Sequence, residues 1–277
     1  MTAVAPRPVA IEELQRAWRA VQAGQFRSHA PSDRRNRSRL TPTATSTWCP
    51  DEPVLPVIGC IGQAGASTVA LALATAAGPA RVVECCSATS SGLGTAVTAE
   101  LGHTATGWRL GRREQVEILR AGAVHCSVAD VPAPDHPAGP EPVVTVLDVG
   151  WDLGQVLATP GWIQQQVTTA EQLVLVTTAS VPGVRRLEVA ATVLGPRRCV
   201  AVVVGAGRRW RPSSSVAVGP SIRAIQDAGR LAMIPTDRAL TRYGVTADPL
   251  PPELLRTAKG LLHHCQTSDT AQKGQSQ

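Results

Sequence analysis

The sequence contains almost no lysine. Of its 27 basic residues, 25 are arginines, and the two lysines are Lys259 and Lys273. This bias, together with abundant Ala, Val, Gly and Pro, is typical of a GC-rich genome such as that of an actinobacterium. Only these two residues could therefore supply a lysine to a site whose chemistry needs one.

Membrane-spanning and secretory segments are also missing from the sequence. No run reaches the roughly 18 consecutive apolar residues that a membrane span needs. The N-terminus lacks the charged and then apolar pattern of a signal peptide. The sequence therefore predicts a cytoplasmic protein with no membrane span.

The seven cysteines form no recognisable framework. No Cys-x-x-Cys pair occurs, and His125 and Cys126 are direct neighbours, which is a poor spacing for one shared metal ion. Most of the other cysteines lie in apolar runs, where a free cysteine behaves as a small hydrophobe. We therefore expect neither a disulfide scaffold nor a structural metal site.

Positive charge is concentrated in an N-terminal arm. Residues 1–49 hold eight arginines and three acidic residues, so their net charge is +5 and that of the remainder is +1. Apolar residues at helical spacing predict an amphipathic helix over about 10–24, followed by a flexible basic linker. The linker is either simply solvated or binds phosphates of duplex DNA non-specifically through Arg34, Arg35, Arg37 and Arg39.

The stretch from Val57 to Thr68 runs from an apolar strand into a loop that carries Gly62 and Gly65, and an apolar helix follows to Ala77. A strand, a glycine-bearing loop and a helix N-terminus together make a cradle for phosphate. The P-loop pattern ends in Gly-Lys-Ser/Thr, but here Ala66 replaces the lysine. The alternative is a tight turn without a ligand.

This stretch resembles the deviant Walker A loop of the ParA/MinD family of P-loop NTPases, Lys-Gly-Gly-x-Gly-Lys-Ser/Thr-Thr. Glycines and hydroxyls match, whereas Ile61 and Ala66 stand where that family carries its two lysines. The resemblance implies a degenerate member with ATP and Mg²⁺ as candidate cofactors. The candidate cofactor-binding residues are Gly62, Gln63, Ala64, Gly65, Ala66, Ser67, Thr68 and Asp148.

The run Val143–Asp148 is similar to a Walker B strand, in which the final carboxylate reaches Mg²⁺ through water. The alternative is a strand that ends in a helix-capping aspartate. The resemblance implies that Ser67 and Asp148 hold the metal if a nucleotide is bound. Asp148 and Asp152 are the candidate catalytic residues, none of them firmly assigned.

The remaining pattern alternates strands and helices, which predicts a doubly wound, mainly parallel α/β sheet. Predicted strands are Arg81–Cys85, Leu173–Thr177, Cys199–Val204 and Leu231–Ile234, and predicted helices include Gly183–Leu194, Pro220–Ala228 and Pro252–His264. Between them we expect helices over 95–101 and 114–121, an extra strand over 123–128 and a proline-rich loop over 131–142. A dinucleotide-binding fold is disfavoured because the first turn is not Gly-x-Gly-x-x-Gly.

The predicted organisation has three parts. Residues 1–53 form the helix and basic linker, residues 54–264 form the ParA/MinD-like domain, and residues 265–277 form a disordered polar tail. In the family an acidic residue ends the second strand, and Glu84 is the nearest match. The family often places an asparagine after the fifth strand to bind adenine, but Gly205-Ala206-Gly207 stands there.

Three functions stay open. The first is a catalytically weak or inactive nucleotide-binding, regulatory protein in plasmid or chromosome maintenance or in DNA transfer. The second is a weak ATPase in which an arginine replaces the lysine, either Arg185 or Arg186 after the fourth strand or Arg208 or Arg209 after the fifth. The third is a DNA-binding or protein-interaction adaptor that uses the fold as a scaffold, with the N-terminal arm and with Arg208, Arg209 and Arg211. Candidate partners are a second copy of the chain, non-specific DNA and an unidentified protein.

Overall fold

A computed structural model describes residues 48–137, 142–206 and 218–273, with side chains up to residue 265. The predicted helix at 10–24 and the candidate DNA-binding arginines of the linker and of residues 208–211 lie outside the described residues. The predicted domain boundaries stay predictions.

The described residues form one mixed sheet of nine strands with helices on both faces. The strands are β1 Val54–Gly59, β2 Ala80–Cys85, β3 Ala99–His103, β4 Arg109–Arg113, β5 Val116–Arg120, β6 Thr145–Val149, β7 Leu173–Thr178, β8 Cys199–Val204 and β9 Leu231–Ile234. The helices are α1 Ala66–Ala77, α2 Leu153–Ala158, α3 Trp162–Thr169, α4 Val181–Leu194, α5 Pro220–Asp227, α6 Arg238–Tyr243 and α7 Pro252–Lys273.

The strands lie in the order β3-β4-β5-β2-β6-β1-β7-β8-β9. The seven strands from β5 to β9 in this order are parallel, and the two pairs β3–β4 and β4–β5 at one end are antiparallel. The prediction of a doubly wound, mainly parallel α/β sheet is confirmed. Because β2, β6 and β1 are adjacent and parallel, the residues at their carboxyl ends meet at one edge, where such sheets bind ligands.

The core lies on both faces of the sheet because alternate residues of a strand point to opposite sides. Val57, Val82 and Val146 face one side, where α1 and α7 pack. Ile58 and Leu147 face the other, where α2, α3, α4 and α5 pack. Strand β1 is buried on both faces, which explains its continuous apolar sequence.

The predictions for residues 95–128 are wrong. The predicted helix at 95–101 is replaced by β3, the predicted helix at 114–121 by β5, and no strand covers 123–128, where a 3₁₀ turn begins at Val128. Charged residues at helical spacing misled the prediction, because two of them are buried in β5 through ion pairs. Glu117 meets Arg81 at 3.0 Å, and Arg120 meets Glu100.

The last helix continues to Lys273, beyond the predicted end at His264. Among the described helices, none is both long enough and apolar enough to cross a membrane. The cytoplasmic location stays a prediction.

Candidate functional site

The segment between β1 and α1 forms a compact loop, residues 60–65, which we call the glycine loop. It begins with a hydrogen bond from the Cys60 N–H to the Val176 carbonyl of β7, at 2.8 Å, and closes with one from the Ala64 N–H to the Ile61 carbonyl, at 3.3 Å. Gly65 precedes α1 with φ 87° and ψ 21°. A side chain is disfavoured in this left-handed region, so glycine is needed here.

The glycine loop and the first turn of α1 present a row of unpaired backbone donors. No acceptor within the described part of the chain pairs with the N–H groups of Gly62, Gln63, Gly65, Ala66, Ser67 or Thr68. A Cβ built on Gly62 would meet no atom within 4 Å, so the loop borders open space there. Free N–H groups at a helix N-terminus fit a phosphate group.

No lysine side chain belongs to this cradle. Ile61 and Ala66 occupy the two positions at which the resembled family carries lysine, and both of the chain's lysines lie on α7. The cradle therefore offers backbone dipoles and hydroxyl groups but no cation of its own.

Two buried carboxylates lie beside the glycine loop at the carboxyl edge of the sheet. Asp148 of β6 is paired in register with Glu84 of β2 on one side and with Val57 of β1 on the other. Burial raises the pKa of Asp148 to about 7, the charge of Glu84 adds to the rise, and the Ser67 hydroxyl opposes it. Asp148 Oδ1 has no hydrogen-bond partner among the described residues.

Glu84 differs from Asp148 in having partners. Burial also raises the pKa of Glu84, but three hydrogen bonds and the more distant Arg120 oppose the rise. Its carboxylate accepts from the Ser91 hydroxyl at 2.8 Å, from the Gly92 N–H at 2.6 Å and from the Leu93 N–H at 2.8 Å. The loop after β2 is thereby held over the edge of the sheet.

The other candidate residues are placed differently. Asp152 is exposed and caps α2, because its Oδ1 accepts from the Gly154 N–H at 2.8 Å. Arg185 and Arg186 are exposed on α4, and α4 packs on the face of the sheet opposite to α1. Gly205, with φ 81°, directly follows β8. Arg208, Arg209 and Arg211 lie outside the described residues.

Sequence reasoning missed several polar residues near this edge. Thr177 at the end of β7 is fully buried, and neither its hydroxyl nor the buried Trp151 indole N–H has a partner among the described residues. Arg120 is buried and donates to the Gly94 carbonyl at 3.1 Å. A threonine in an apolar strand is not informative by itself, and Arg120 was hidden by the wrong helix prediction.

The residues present fit a magnesium nucleotide in part. Unpaired N–H groups suit the phosphates, and the Ser67 hydroxyl with the unpartnered Asp148 oxygen suits a hydrated divalent cation. The missing element is a cation for the charge on the terminal phosphates. The arrangement therefore offers groups that suit phosphate and a cation, but it lacks the lysine that P-loop NTPases use for phosphoryl transfer.

No protein-family model matches the chain. No curated protein matches it at a significant level either.

Solved structures do resemble the chain over most of its length. The plasmid partition protein from Borrelia burgdorferi B31 bound to AMPPNP has 10% identity and a TM-score of 0.47, with 76% of this chain and 97% of that chain covered. The cell division ATPase MinD of Pyrococcus furiosus has 16% identity and a TM-score of 0.47, with 78% of this chain and 99% of that chain covered. Apo McdA of Cyanothece has 14% identity and a TM-score of 0.48, with 76% of this chain and 99% of that chain covered. At these scores the likenesses carry no inference about what this chain binds or does.

Proposed function

We propose that this chain is a ParA/MinD-like P-loop protein that binds a nucleotide weakly and hydrolyses it very slowly or not at all. Its role would be regulatory, in plasmid or chromosome maintenance or in DNA transfer. The observation that carries the proposal is the cradle itself. Unpaired N–H groups of the glycine loop lie next to the unpartnered Asp148 carboxylate, and no lysine accompanies them.

The binding half of the proposal rests on groups that the chain retains. The unpaired backbone N–H groups between Gly62 and Thr68 would hold phosphate oxygens, and Ser67 and Asp148 would orient a hydrated Mg²⁺. The bound ion would supply charge neutralisation at the phosphates. The protein's own contribution is position and the dipole of α1.

The catalytic half rests on the group that the chain lacks. The P-loop lysine stabilises charge on the terminal phosphates in the transition state. Loss of one such preorganised donor costs roughly 3–4 kcal/mol, or on the order of a hundred- to a thousandfold in rate. Ile61 is apolar and gives no rescue from the family's other lysine position.

The test is a titration of ATP and Mg²⁺ into the wild type, Ala66→Lys and Asp148→Ala, with phosphate release followed in parallel. We expect weak binding by the wild type, tighter binding by Ala66→Lys and loss of the Mg²⁺-dependent part in Asp148→Ala. Ala77→Lys at the far end of α1 is the matched control, because it adds the same charge away from the glycine loop.

Two results would contradict the proposal. Brisk hydrolysis by the wild type that disappears in Asp148→Ala would identify an ATPase in which an arginine replaces the lysine. No binding by any variant would leave the glycine loop as a structural turn and would favour the adaptor function.

A further inference from the structure

The loop after β2 lies against Ser67 in the first turn of α1, directly after the glycine loop. We name the three residues Ser91–Leu93 the covering loop, because all three bond to the Glu84 carboxylate through one hydroxyl and two N–H groups. Glu84 is 1% exposed and is next to Asp148 in the sheet register. The covering loop is therefore fixed to Glu84, the sheet neighbour of Asp148.

Gly92 lies close to Ser67, one of the candidate cation ligands. A Cβ built on Gly92 would lie 2.5 Å from Ser67 Oγ and 2.8 Å from Ser67 Cβ, distances at which something must shift. Only glycine lets the backbone come this close. The Gly92 backbone therefore lies directly against the Ser67 side chain and its hydroxyl.

The covering loop is held at its C-terminal side as well. Leu93 is fully buried in the core on the α1 face. The Gly94 carbonyl accepts from Arg120 at 3.1 Å, and the Thr95 hydroxyl donates to the Val245 carbonyl at 2.7 Å. We therefore expect any opening to begin at Ser91 and Gly92, which Glu84 holds.

We propose that the covering loop closes the cation side of the glycine loop, and that a magnesium nucleotide binds only in molecules in which Glu84 has released it. This inference rests on the proposed function, because it concerns access to the same site. Glu84 is a positioning residue in this scheme: it touches neither the phosphates nor the cation and acts through the loop. Binding is weakened by the fraction of molecules that are closed.

The experiment compares the wild type with Gly92→Ala and with the matched control Gly94→Ala. A Cβ on Gly94 would have Ser91 Oγ as its nearest atom, at 3.6 Å, so this second substitution leaves the loop undisturbed. Amide hydrogen exchange of residues 91–93 is measured without nucleotide. Calorimetric titration then gives the affinity for AMPPNP with Mg²⁺ and with EDTA.

In Gly92→Ala we expect faster exchange at Gly92 and Leu93 and at least about tenfold tighter binding of magnesium AMPPNP, as for a site that is open less than about a tenth of the time. Binding in EDTA should change less. Ser91→Ala removes one of the three bonds to Glu84 and should give a smaller effect in the same direction. Gly94→Ala should match the wild type in both measurements.

Each other outcome has a distinct meaning. Faster exchange in Gly92→Ala with unchanged magnesium AMPPNP affinity would overturn the covering-loop proposal alone, because the wild type would still bind. Unchanged exchange in Gly92→Ala would show that the loop is not pressed on Ser67 and would overturn it too. No binding even by the double variant Ala66→Lys, Gly92→Ala would overturn this proposal and the proposed function together.

Discussion

Replacing Asp148 by asparagine should make the protein more stable above pH 7. The carboxylate is fully buried and its Oδ1 has no partner among the described residues, so its charged form is penalised in the folded state. The rise of its pKa from the ordinary 3.8 to about 7 corresponds to at most about 4 kcal/mol of unfolding free energy. Against a typical total of about 5–15 kcal/mol this is a large effect.

The sign follows from proton binding. Between pH 4 and pH 7 the folded protein keeps a proton on Asp148 that the unfolded chain has lost, so wild-type stability falls as the pH rises through this range. Glu84 contributes in the same direction, because its pKa is raised too. Asp148→Asn removes the first contribution, and its advantage over the wild type should shrink towards pH 4.

Urea unfolding at pH 5 and pH 8, in EDTA and without nucleotide, measures this difference. Asp152→Asn is the control, because Asp152 is exposed and asparagine caps a helix about as well as aspartate. It should change stability little at either pH. If Asp148→Asn were less stable than the wild type at pH 8, the carboxylate would have a stabilising partner and the argument from its burial would fail.

Two further predictions concern the core and the arm. Leu71→Asp or Leu73→Asp should unfold the protein, because each side chain is fully buried and an unpaired buried carboxylate costs several kcal/mol. The control Val189→Asp, on the exposed face of α4, should melt within a few degrees of the wild type. An unchanged melting temperature for both leucine variants would refute the packing of α1. Deleting residues 1–49 should abolish weak, steeply salt-dependent binding to duplex DNA; undiminished binding by the truncated chain would place the site elsewhere.

The strands that build the site could be predicted because their centres are apolar and buried. Residues of β1, β7 and β8 form short, mostly apolar runs bounded by loops, which is the pattern of buried parallel strands, and β2 and β6 keep apolar centres between polar residues. Their order in the chain then required a mainly parallel sheet, and the glycine loop could be placed at the start of α1. The bounds of β8 and β9 agree with the prediction residue for residue.

The segment 95–120 could not be predicted because its pattern depends on partners distant in sequence. In β5, Glu117 and Arg120 stand three residues apart, as on the polar face of a helix. They are buried because Arg81 and Glu100 pair with them across the sheet. Arg113 is similarly buried, and it donates to the Ala96 carbonyl at 3.0 Å and to the Thr246 carbonyl at 2.6 Å. Local sequence carries no sign of such long-range pairs.

The candidate site could be predicted only in outline for the same reason. The glycine loop and Asp148 are visible in the sequence, since both follow apolar strands. The covering loop is not visible, because a Ser-rich segment with two glycines predicts only an irregular connection. The covering loop contacts Ser67 because its hydroxyl and two N–H groups are hydrogen-bonded to Glu84. The strand register, which places Glu84 beside Asp148, sets the position of these bonds.

The burial of Glu84 has a structural explanation and that of Asp148 does not. This difference helps to distinguish a scaffold from a nucleotide-binding protein. The hydrogen bonds of Glu84 hold the covering loop, so a protein that used the fold only as a scaffold would still benefit from it. Asp148 interacts only with the Ser67 hydroxyl, which does not offset its burial: its Oδ1 is unpartnered among the described residues, and its pKa is raised. A polar group that destabilises the fold without a structural return is typical of a binding site. Asp148 therefore argues for a bound cation, whereas the glycine loop alone is compatible with a simple turn.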